Sequence, residues 1–211
     1  MYRPKYYDEP DHEAIAAMIR AYPFATLFSA REQLWATHLP LLPFDGADGR
    51  RRLIGHLAKG NRQWRMLRDG DDVLAVFAGP HAYISPRWYP DEPDVPTWNY
   101  VAAHVYGRWR PIDDWDKTRA VLKDTVARFE QESERPWTLD TLDSGITSAL
   151  QRGVQAFEIV VARMEAAKKL GQDKSAEDVA GVVSGLGEAA GAEQKNVAVL
   201  MEQANKRQEK G

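Results

Sequence analysis

The 211-residue sequence contains no cysteine. Without thiols it can form no disulfide, zinc ribbon or cysteine-ligated iron–sulfur cluster, and a thiol nucleophile is excluded. This composition is compatible with a reducing cytoplasm. The N-terminal stretch MYRPKYYDEPDHE lacks the apolar segment of a secretory signal, and no run elsewhere is long enough to span a membrane. We therefore expect a cytoplasmic protein with no membrane partner.

The sequence also lacks an excess of positive charge, because its formal net charge is −3. A negative protein has no general attraction to nucleic acid. The last predicted helix carries Glu193, Glu202 and Glu209 beside its basic residues, so it has no basic face of the kind that a DNA-recognition helix needs. DNA binding would require a local basic patch or a groove between two subunits.

Several segments alternate between apolar and polar residues or are rich in β-branched and aromatic residues. They predict an α+β protein with six to seven strands. The predicted strands cover residues 24–30, 34–44, 52–58, 73–79, 81–85, 97–109 and 154–166. The segment 34–44 is the expected hairpin partner of 24–30. Short, turn-like connections before residue 111 are typical of an antiparallel barrel.

Helical periodicity predicts the remaining elements. A helix follows Asp11, a short helix or turn lies within residues 59–67, and helices occupy about 113–152. Two further helices start near Ser175 and Glu193, the second running to Lys210. We expect a barrel domain at 1–170 with inserted helices at about 113–152, and a helical extension at 171–211.

The stretch from Gly79 to Gly107 is the densest in aromatic rings, histidines, prolines and hydroxyl groups. Its two strands flank a segment with four prolines, which cannot lie inside a central strand. Hydrogen-bonding groups alternate with large flat rings at Ser85, Trp88, Thr97, Trp98, Asn99 and His104. This combination predicts a site for a planar, partly polar ligand. Aromatic residues on strands can also serve only as barrel core.

The segment GHLAKGNRQW, residues 55–64, predicts a phosphate site. Lys59 and Asn61 lie in a glycine-containing turn after a strand, where backbone N–H groups, an amide and an ammonium can meet an anion. The segment is no GxxxxGK[ST] loop, and an ordinary surface turn is the alternative.

Four histidines lie on the predicted strands or at their ends: His38, His56, His81 and His104. Their spacing matches no metal-binding pattern such as HExxH, which favours structural or hydrogen-bonding roles. A single axial haem ligand needs no motif, so that role stays open.

Several blocks together carry a family resemblance. They are MYRPKYY, YPFATL, ATHLPLL, GHLAKGNRQW, GPHAYISPRWY and VPTWNYVAAHVYG, in this order, followed by FEIVVARMEAAKKLGQDKSAEDVAGVVSGL. The sequence resembles the PaiB-like family of FMN-binding negative transcriptional regulators, within the FMN-binding split-barrel group. The resemblance implies an antiparallel split β-barrel of six to seven strands with peripheral and C-terminal helices. It also implies a homodimer with FMN at the subunit interface.

The same resemblance assigns residues to FMN. The phosphate would lie near Lys59 and Asn61, with His56 on the same strand. The other implied contacts are Thr37, His38, Leu39, Ser85, Trp88, Thr97, Trp98, Asn99, Lys169 and Gln172. The family's KLSQN motif reads KLGQD at residues 169–173 here, which removes a hydroxyl and exchanges an amide for a carboxylate.

The leading expectation is thus an FMN-binding regulator in which the flavin stabilises one arrangement of the dimer, with DNA as a partner by resemblance alone. The alternatives are a flavin-dependent oxidoreductase of the reductase or oxidase type, a haem-binding split barrel, and a dimeric scaffold without a cofactor.

Overall fold

The computed structural model describes residues 1–90 and 95–208. Residues 91–94 of the predicted proline-rich loop and residues 209–211, which include Glu209 and Lys210 of the predicted last helix, lie outside this description. The helices of the described chain are α1 (His12–Ala21), α2 (Arg62–Met66), α3 (Trp115–Glu130), α4 (Ser144–Gly153), α5 (Ala176–Glu188) and α6 (Ala192–Gln208). The strands are β1 (Phe24–Ser29), β2 (Trp35–Pro40), β3 (Leu42–Asp45), β4 (Arg51–Ala58), β5 (Asp72–Ile84), β6 (Thr97–Ile112) and β7 (Val154–Lys169). The predicted α+β class with six to seven strands is confirmed.

The strands form one sheet in the order β2-β1-β5-β6-β7-β4-β3. The β1–β2, β1–β5, β3–β4 and β4–β7 pairs are antiparallel. The two end strands of this order, β2 and β3, are separated along the chain by Leu41 alone. A sheet whose two end strands follow one another in the chain must curl so that its ends come together, as in a split barrel.

Two details of the predicted strands are wrong. The segment 34–44 is not one strand but breaks at Leu41, whose N–H donates to the Pro23 carbonyl at 2.9 Å. Its first half pairs with β1 as expected, but its second half pairs with β4. Segments 73–79 and 81–85 are not two strands but the single strand β5, because an extended backbone accommodates Pro80 without a turn.

The predicted helix starts are confirmed by their capping hydrogen bonds. The Asp11 carboxylate accepts from the Glu13 N–H at 2.9 Å, and the Asp114 carboxylate accepts from the Lys117 N–H at 2.8 Å. The Ser175 hydroxyl accepts from the Asp178 N–H at 3.0 Å. Each side chain satisfies one of the N–H groups that the first turn of a helix leaves without a partner.

The chain packs into two compact units. Unit 1 comprises Met1–Met18, Ala78–Ala103 and Glu165–Gly211, and unit 2 comprises Ile19–Phe77 and His104–Met164. In unit 2 the rings of Trp109 and Phe157 are fully buried and stack with their centroids 4.1 Å apart. In unit 1 the helices α5 and α6 contact each other. The predicted division into 1–170 and 171–211 stays a prediction. Among residues 1–90 and 95–208 we find no candidate for a membrane-spanning helix.

Candidate functional site

The predicted phosphate segment forms a compact turn in unit 2, which we call the Lys59 turn (residues 58–65). The Lys59 carbonyl accepts from the Trp64 indole N–H at 3.0 Å and from the Arg65 guanidinium at 2.9 Å. The Lys59 ammonium donates to the Gln151 carbonyl at 3.1 Å. An ammonium has three donors, so two are left for an anion. Residues 58–65 include three cationic side chains and no carboxylate, which makes the turn electropositive.

Asn61 holds this turn in place through both ends of its amide. Its oxygen accepts from the Gln63 N–H at 2.8 Å and caps α2, while its nitrogen donates to the Thr37 hydroxyl at 2.9 Å. Gln63 is fully buried and donates to the Leu27 carbonyl at 3.0 Å and to the Ser29 hydroxyl at 3.2 Å. The structure thus brings Thr37 and Asn61 together, and it uses the amide of Asn61 to shape the turn.

The three predicted residues of β2 lie on two different faces, because side chains alternate along a strand. Thr37 is half-buried and Leu39 is buried, whereas His38 is exposed on the opposite face. His38 lies 2.9 Å from the Thr26 hydroxyl through its Nδ1 atom, and its ring stacks on Phe24 with centroids 6.2 Å apart. Thr37 is therefore part of the Lys59 turn, and His38 is part of an exposed aromatic face.

His56 lies on β4, which leads into the Lys59 turn, and pairs with Ala156 of β7. Burial lowers its pKa below the ordinary value, because a buried imidazolium loses its hydration. Burial also lowers the pKa of His104, with a smaller contribution from the Arg163 guanidinium. Both rings therefore favour the neutral form, which can accept or donate a hydrogen bond.

Unit 1 contains a second group of predicted residues around a cavity of about 140 Å³, which we call the Lys169 cavity. The Lys169 ammonium donates to the Thr97 hydroxyl, and it lies 5.8 Å from the centre of the Tyr7 ring. The cavity is lined by Tyr7, Tyr89, Val95, Thr97, Asn99, Lys169, Gly171, Asp173 and Lys174. Three of the predicted residues, Thr97, Asn99 and Lys169, thus share one cavity.

Gln172 closes the turn that follows β7. Its amide nitrogen donates to the Lys168 carbonyl at 2.6 Å, and its amide oxygen accepts from the Leu170 N–H at 2.8 Å. Between them, Gly171 has a φ of 79°, in the left-handed region that favours glycine. This conformation is a physical reason for glycine where the family motif has serine.

The remaining predicted residues of unit 1 lie apart from the cavity lining. The Ser85 hydroxyl accepts from the Arg87 N–H at 3.3 Å and caps the short 3₁₀ turn Pro86–Trp88. Trp88 is half-buried against α5. Trp98 alternates to the face opposite Thr97 and Asn99 and is 54% exposed, beside the rings of His81 and Tyr83.

The sequence reasoning missed six residues that line the Lys169 cavity, and three of them, Tyr7, Tyr89 and Lys174, carry an aromatic ring or a charge that can meet a ligand. The Lys174 ammonium lies 5.5 Å from the centre of the Tyr89 ring. Tyr7 and Tyr89 were inside blocks that carried the family resemblance, and Lys174 follows the KLGQD motif directly. Their position in or beside these blocks was thus the available sign of a functional role. That they line one cavity depends on contacts between segments that are remote in sequence.

Two solved structures with a similar fold are a FAD- and haem-binding protein and a flavocytochrome. A FAD- and haem-binding protein from Mycobacterium smegmatis has a TM-score of 0.58 and 18% identity, covering 82% of this chain and 79% of that chain. A flavocytochrome, Anf3, from Azotobacter vinelandii has a TM-score of 0.61 and 17% identity, covering 85% of this chain and 78% of that chain. These likenesses establish the split-barrel fold.

The sequence comparisons establish the family. Residues 1–163 match the family model described as "Putative FMN-binding domain". The Bacillus subtilis protein named "Protease synthase and sporulation protein PAI 2" is 35% identical over 209 residues, which cover 99% of this chain and 100% of that protein. The predicted resemblance to the PaiB-like family is therefore confirmed. The chain belongs to this family of FMN-binding split-barrel proteins, and its cofactor is FMN.

Proposed function

We propose that the protein is a cytoplasmic homodimer that acts as a negative transcriptional regulator of the PaiB type, with FMN as its regulatory ligand. The similarity to a Bacillus protein named for protease synthase and sporulation extends over nearly the whole chain. This full-length similarity supports a shared role more strongly than a match to the barrel alone would.

The observation that carries the FMN part of the proposal is the Lys59 turn. The ammonium of Lys59 has donors left after its bond to Gln151, and the guanidinium groups of Arg62 and Arg65 belong to the same short segment. A phosphate with two negative charges needs cations and N–H donors in this way. In our proposal Lys59 holds the phosphate directly, and Asn61 keeps the turn in the conformation that presents Lys59.

The residues of unit 1 suit the polar edge and the flat faces of the flavin ring. The Lys169 cavity supplies an ammonium and a hydroxyl at Lys169 and Thr97, and the rings of Tyr7 and Tyr89 line the same cavity. The cavity volume of about 140 Å³ is smaller than the roughly 300–1,000 Å³ of sites for whole drug-sized ligands. It therefore suits a portion of FMN.

Bound FMN supplies a redox-active ring. The chain's own residues bind and orient the ring and its phosphate, and a ligand shifts a regulatory equilibrium only by binding one conformation more tightly than another. In our proposal the dimer has two arrangements that differ in their affinity for DNA, and FMN binds one of them more tightly than the other.

Exposed aromatic side chains support the homodimer. Trp98 and Tyr83 of unit 1 are 54% and 47% exposed, and Phe24 of unit 2 is 65% exposed. Within unit 1 the rings of Trp98 and Tyr83 lie together, with centroids 6.2 Å apart, and exposed apolar patches of this kind mark surfaces that associate with a partner. A second copy of the chain is the partner that the family resemblance implies.

The first experiment compares FMN with riboflavin, which lacks the phosphate. Lys59→Gln is expected to weaken FMN binding about 10- to 100-fold, because hydrogen bonds to charged groups contribute about 1.5–3 kcal/mol. Riboflavin binding should stay unchanged. Lys117→Gln, which removes an exposed lysine of α3 in the same unit, is the matched control. An equal loss for both ligands would contradict the phosphate role of Lys59.

The second experiment tests the regulatory role. The visible spectrum of the purified protein and the identity of the released chromophore establish what is bound, and DNA affinity is then measured with and without FMN. A difference in DNA affinity supports the proposal. Equal affinities would remove the switch. Turnover of reduced nicotinamide would favour the oxidoreductase alternative, and a Soret band would favour haem.

A further inference from the structure

Helix α5 contains two glycines, Gly181 and Gly185, that lie against Trp88. A Cβ atom at Gly181 would lie 2.1 Å from the Trp88 carbonyl oxygen, and a Cβ atom at Gly185 would lie 2.4 Å from the indole atoms Cε2 and Nε1. Both distances are far below any normal contact. Glycine within a helix lowers helix stability relative to alanine. Close packing of α5 against Trp88, and not helix propensity, therefore explains glycine at these two positions. We call them the Trp88 seat.

The Trp88 seat fixes a segment that the proposed FMN site uses. Trp88 ends the 3₁₀ turn that Ser85 caps, and the next residue, Tyr89, lines the Lys169 cavity. Both Ser85 and Trp88 are predicted flavin contacts. The position of this segment therefore depends on where α5 lies.

Helix α6 holds two more parts of the same cavity. The Asn99 amide donates to the Met201 sulfur at 3.3 Å, and Asn99 lines the cavity. The Asn205 amide donates to the carbonyl of Leu170 at 3.2 Å, directly after Lys169. Three segments around the cavity, from the loop after β5, from β6 and from the end of β7, are thus each attached to α5 or α6.

These helices lie beyond residues 1–163, the part of the chain that the family model matches, although the Bacillus relative aligns over 99% of the chain. Building on the FMN site proposed above, we infer that the α5–α6 pair positions the ligand-contacting residues of unit 1, so that FMN binding and docking of the pair stabilise each other. The coupling is reciprocal, because a ligand that prefers the docked pair must also be bound more tightly when the pair is docked. Gly185 and Met201 are positioning residues in this scheme, since they act through Trp88 and Asn99.

The test uses the full-length protein with FMN as the probe. Gly185→Ala places a methyl group against the indole, whereas Gly187→Ala in the same helix meets no atom within 4 Å and is the matched control. The expected result is that FMN affinity falls about 2- to 30-fold in Gly185→Ala and stays unchanged in Gly187→Ala. FMN should also slow amide hydrogen exchange in α5 and α6 of the wild type, and this protection should be lost in Gly185→Ala.

A second pair of variants covers the case in which Gly185→Ala does not fold. Met201→Leu keeps the side-chain volume but removes the sulfur that accepts from Asn99, and Met164→Leu changes a buried methionine of unit 2. FMN binding that is weaker in Met201→Leu and unchanged in Met164→Leu supports the inference. Equal FMN affinities within both matched pairs, with unchanged exchange in α5 and α6, would overturn it.

A failure of the proposed FMN role can be told apart from a failure of this inference. If the wild type binds no FMN, the proposed function fails. Hydrogen exchange of residues 85–89 in the ligand-free variants still reports on positioning. Faster exchange in Gly185→Ala than in Gly187→Ala supports the positioning role, and equal exchange contradicts it.

Discussion

The Lys59 turn and the Lys169 cavity present their lysines in different ways. The turn is one continuous stretch of eight residues whose polar groups also hold its own backbone, as the two bonds to the Lys59 carbonyl show. The cavity is assembled from segments far apart in sequence, such as those of Tyr7, Thr97 and Lys169. The turn is therefore a local structure in which binding and folding share residues, whereas the cavity depends on the placement of remote segments.

The largest expected effect is on flavin binding, and it shows which part of FMN each region holds. Lys169→Gln should weaken FMN and riboflavin binding alike, each about 10- to 100-fold, because it removes a charged donor at the ring and not at the phosphate. Titration of both ligands by flavin fluorescence measures this effect, with Lys195→Gln on the exposed face of α6 as the control. A loss for FMN alone would place the phosphate in the Lys169 cavity and reverse the comparison.

The next effect concerns the double role of the turn. Asn61→Ala should lower the free energy of unfolding by about 1–2 kcal/mol, because it removes a helix cap, and it should also weaken FMN binding. Asp114→Ala removes the comparable cap of α3 and should cost about 1 kcal/mol without changing FMN affinity. Urea unfolding and FMN titration of both variants provide the measurement. Equal FMN affinity in the two variants would show that Asn61 stabilises the fold of the turn but does not contribute to FMN binding.

The sequence predicts the local features of this fold well and the remote ones poorly. The capping roles of Asp11 and Ser175 follow from side-chain chemistry within three residues, and the Lys59 turn follows from its own composition. The break at Leu41 was missed because it depends on β3 pairing with β4 instead of β1.

The same reason explains the candidate sites. Thr97 and Lys169 were predicted through the family resemblance, and the structure places them in contact although 72 positions separate them. Tyr89 lies in a block that carries the family resemblance and Lys174 follows the KLGQD motif, but neither position has a local pattern that predicts a cavity. Only the folded chain shows that the two residues line the same one.

A smaller effect tests the strand that leads into the turn. Since burial lowers the pKa of His56 from 6.5, the unfolded chain takes up a proton at a higher pH than the folded chain does. Stability should therefore be complete above about pH 6.5 and fall as the pH decreases toward the lowered pKa, below which it levels off. His56→Gln should flatten this dependence in urea unfolding between pH 5 and pH 7.5. An unchanged slope would show that His104, with the same direction of shift, accounts for it instead.

The smallest effect concerns a turn that belongs to neither site. The Arg52 guanidinium donates to Asp48 at 2.7 Å and 2.9 Å, and this bond, with a backbone bond from Arg50, lowers the Asp48 pKa to about 2. Arg52→Gln should return the pKa toward 3.8. The native pair contributes stability above about pH 3.8 that is lost as the pH falls through about 2. Carboxyl chemical shifts during an acid titration measure the change, and an unshifted pKa in the variant would contradict it.

The single residue between β2 and β3 has a consequence for solubility. An end strand of an open sheet presents unpaired N–H and C=O groups that can add a strand from another molecule, which leads to aggregation. Because Leu41 joins the two end strands of this sheet, the chain keeps both ends close together, which leaves less room for a strand of another molecule, and Pro40 and Pro43 further limit pairing at these strands. A flexible insertion at Leu41 would let the two end strands move apart and make both edges accessible at once, so loosening this connection would favour self-association as well as lower stability.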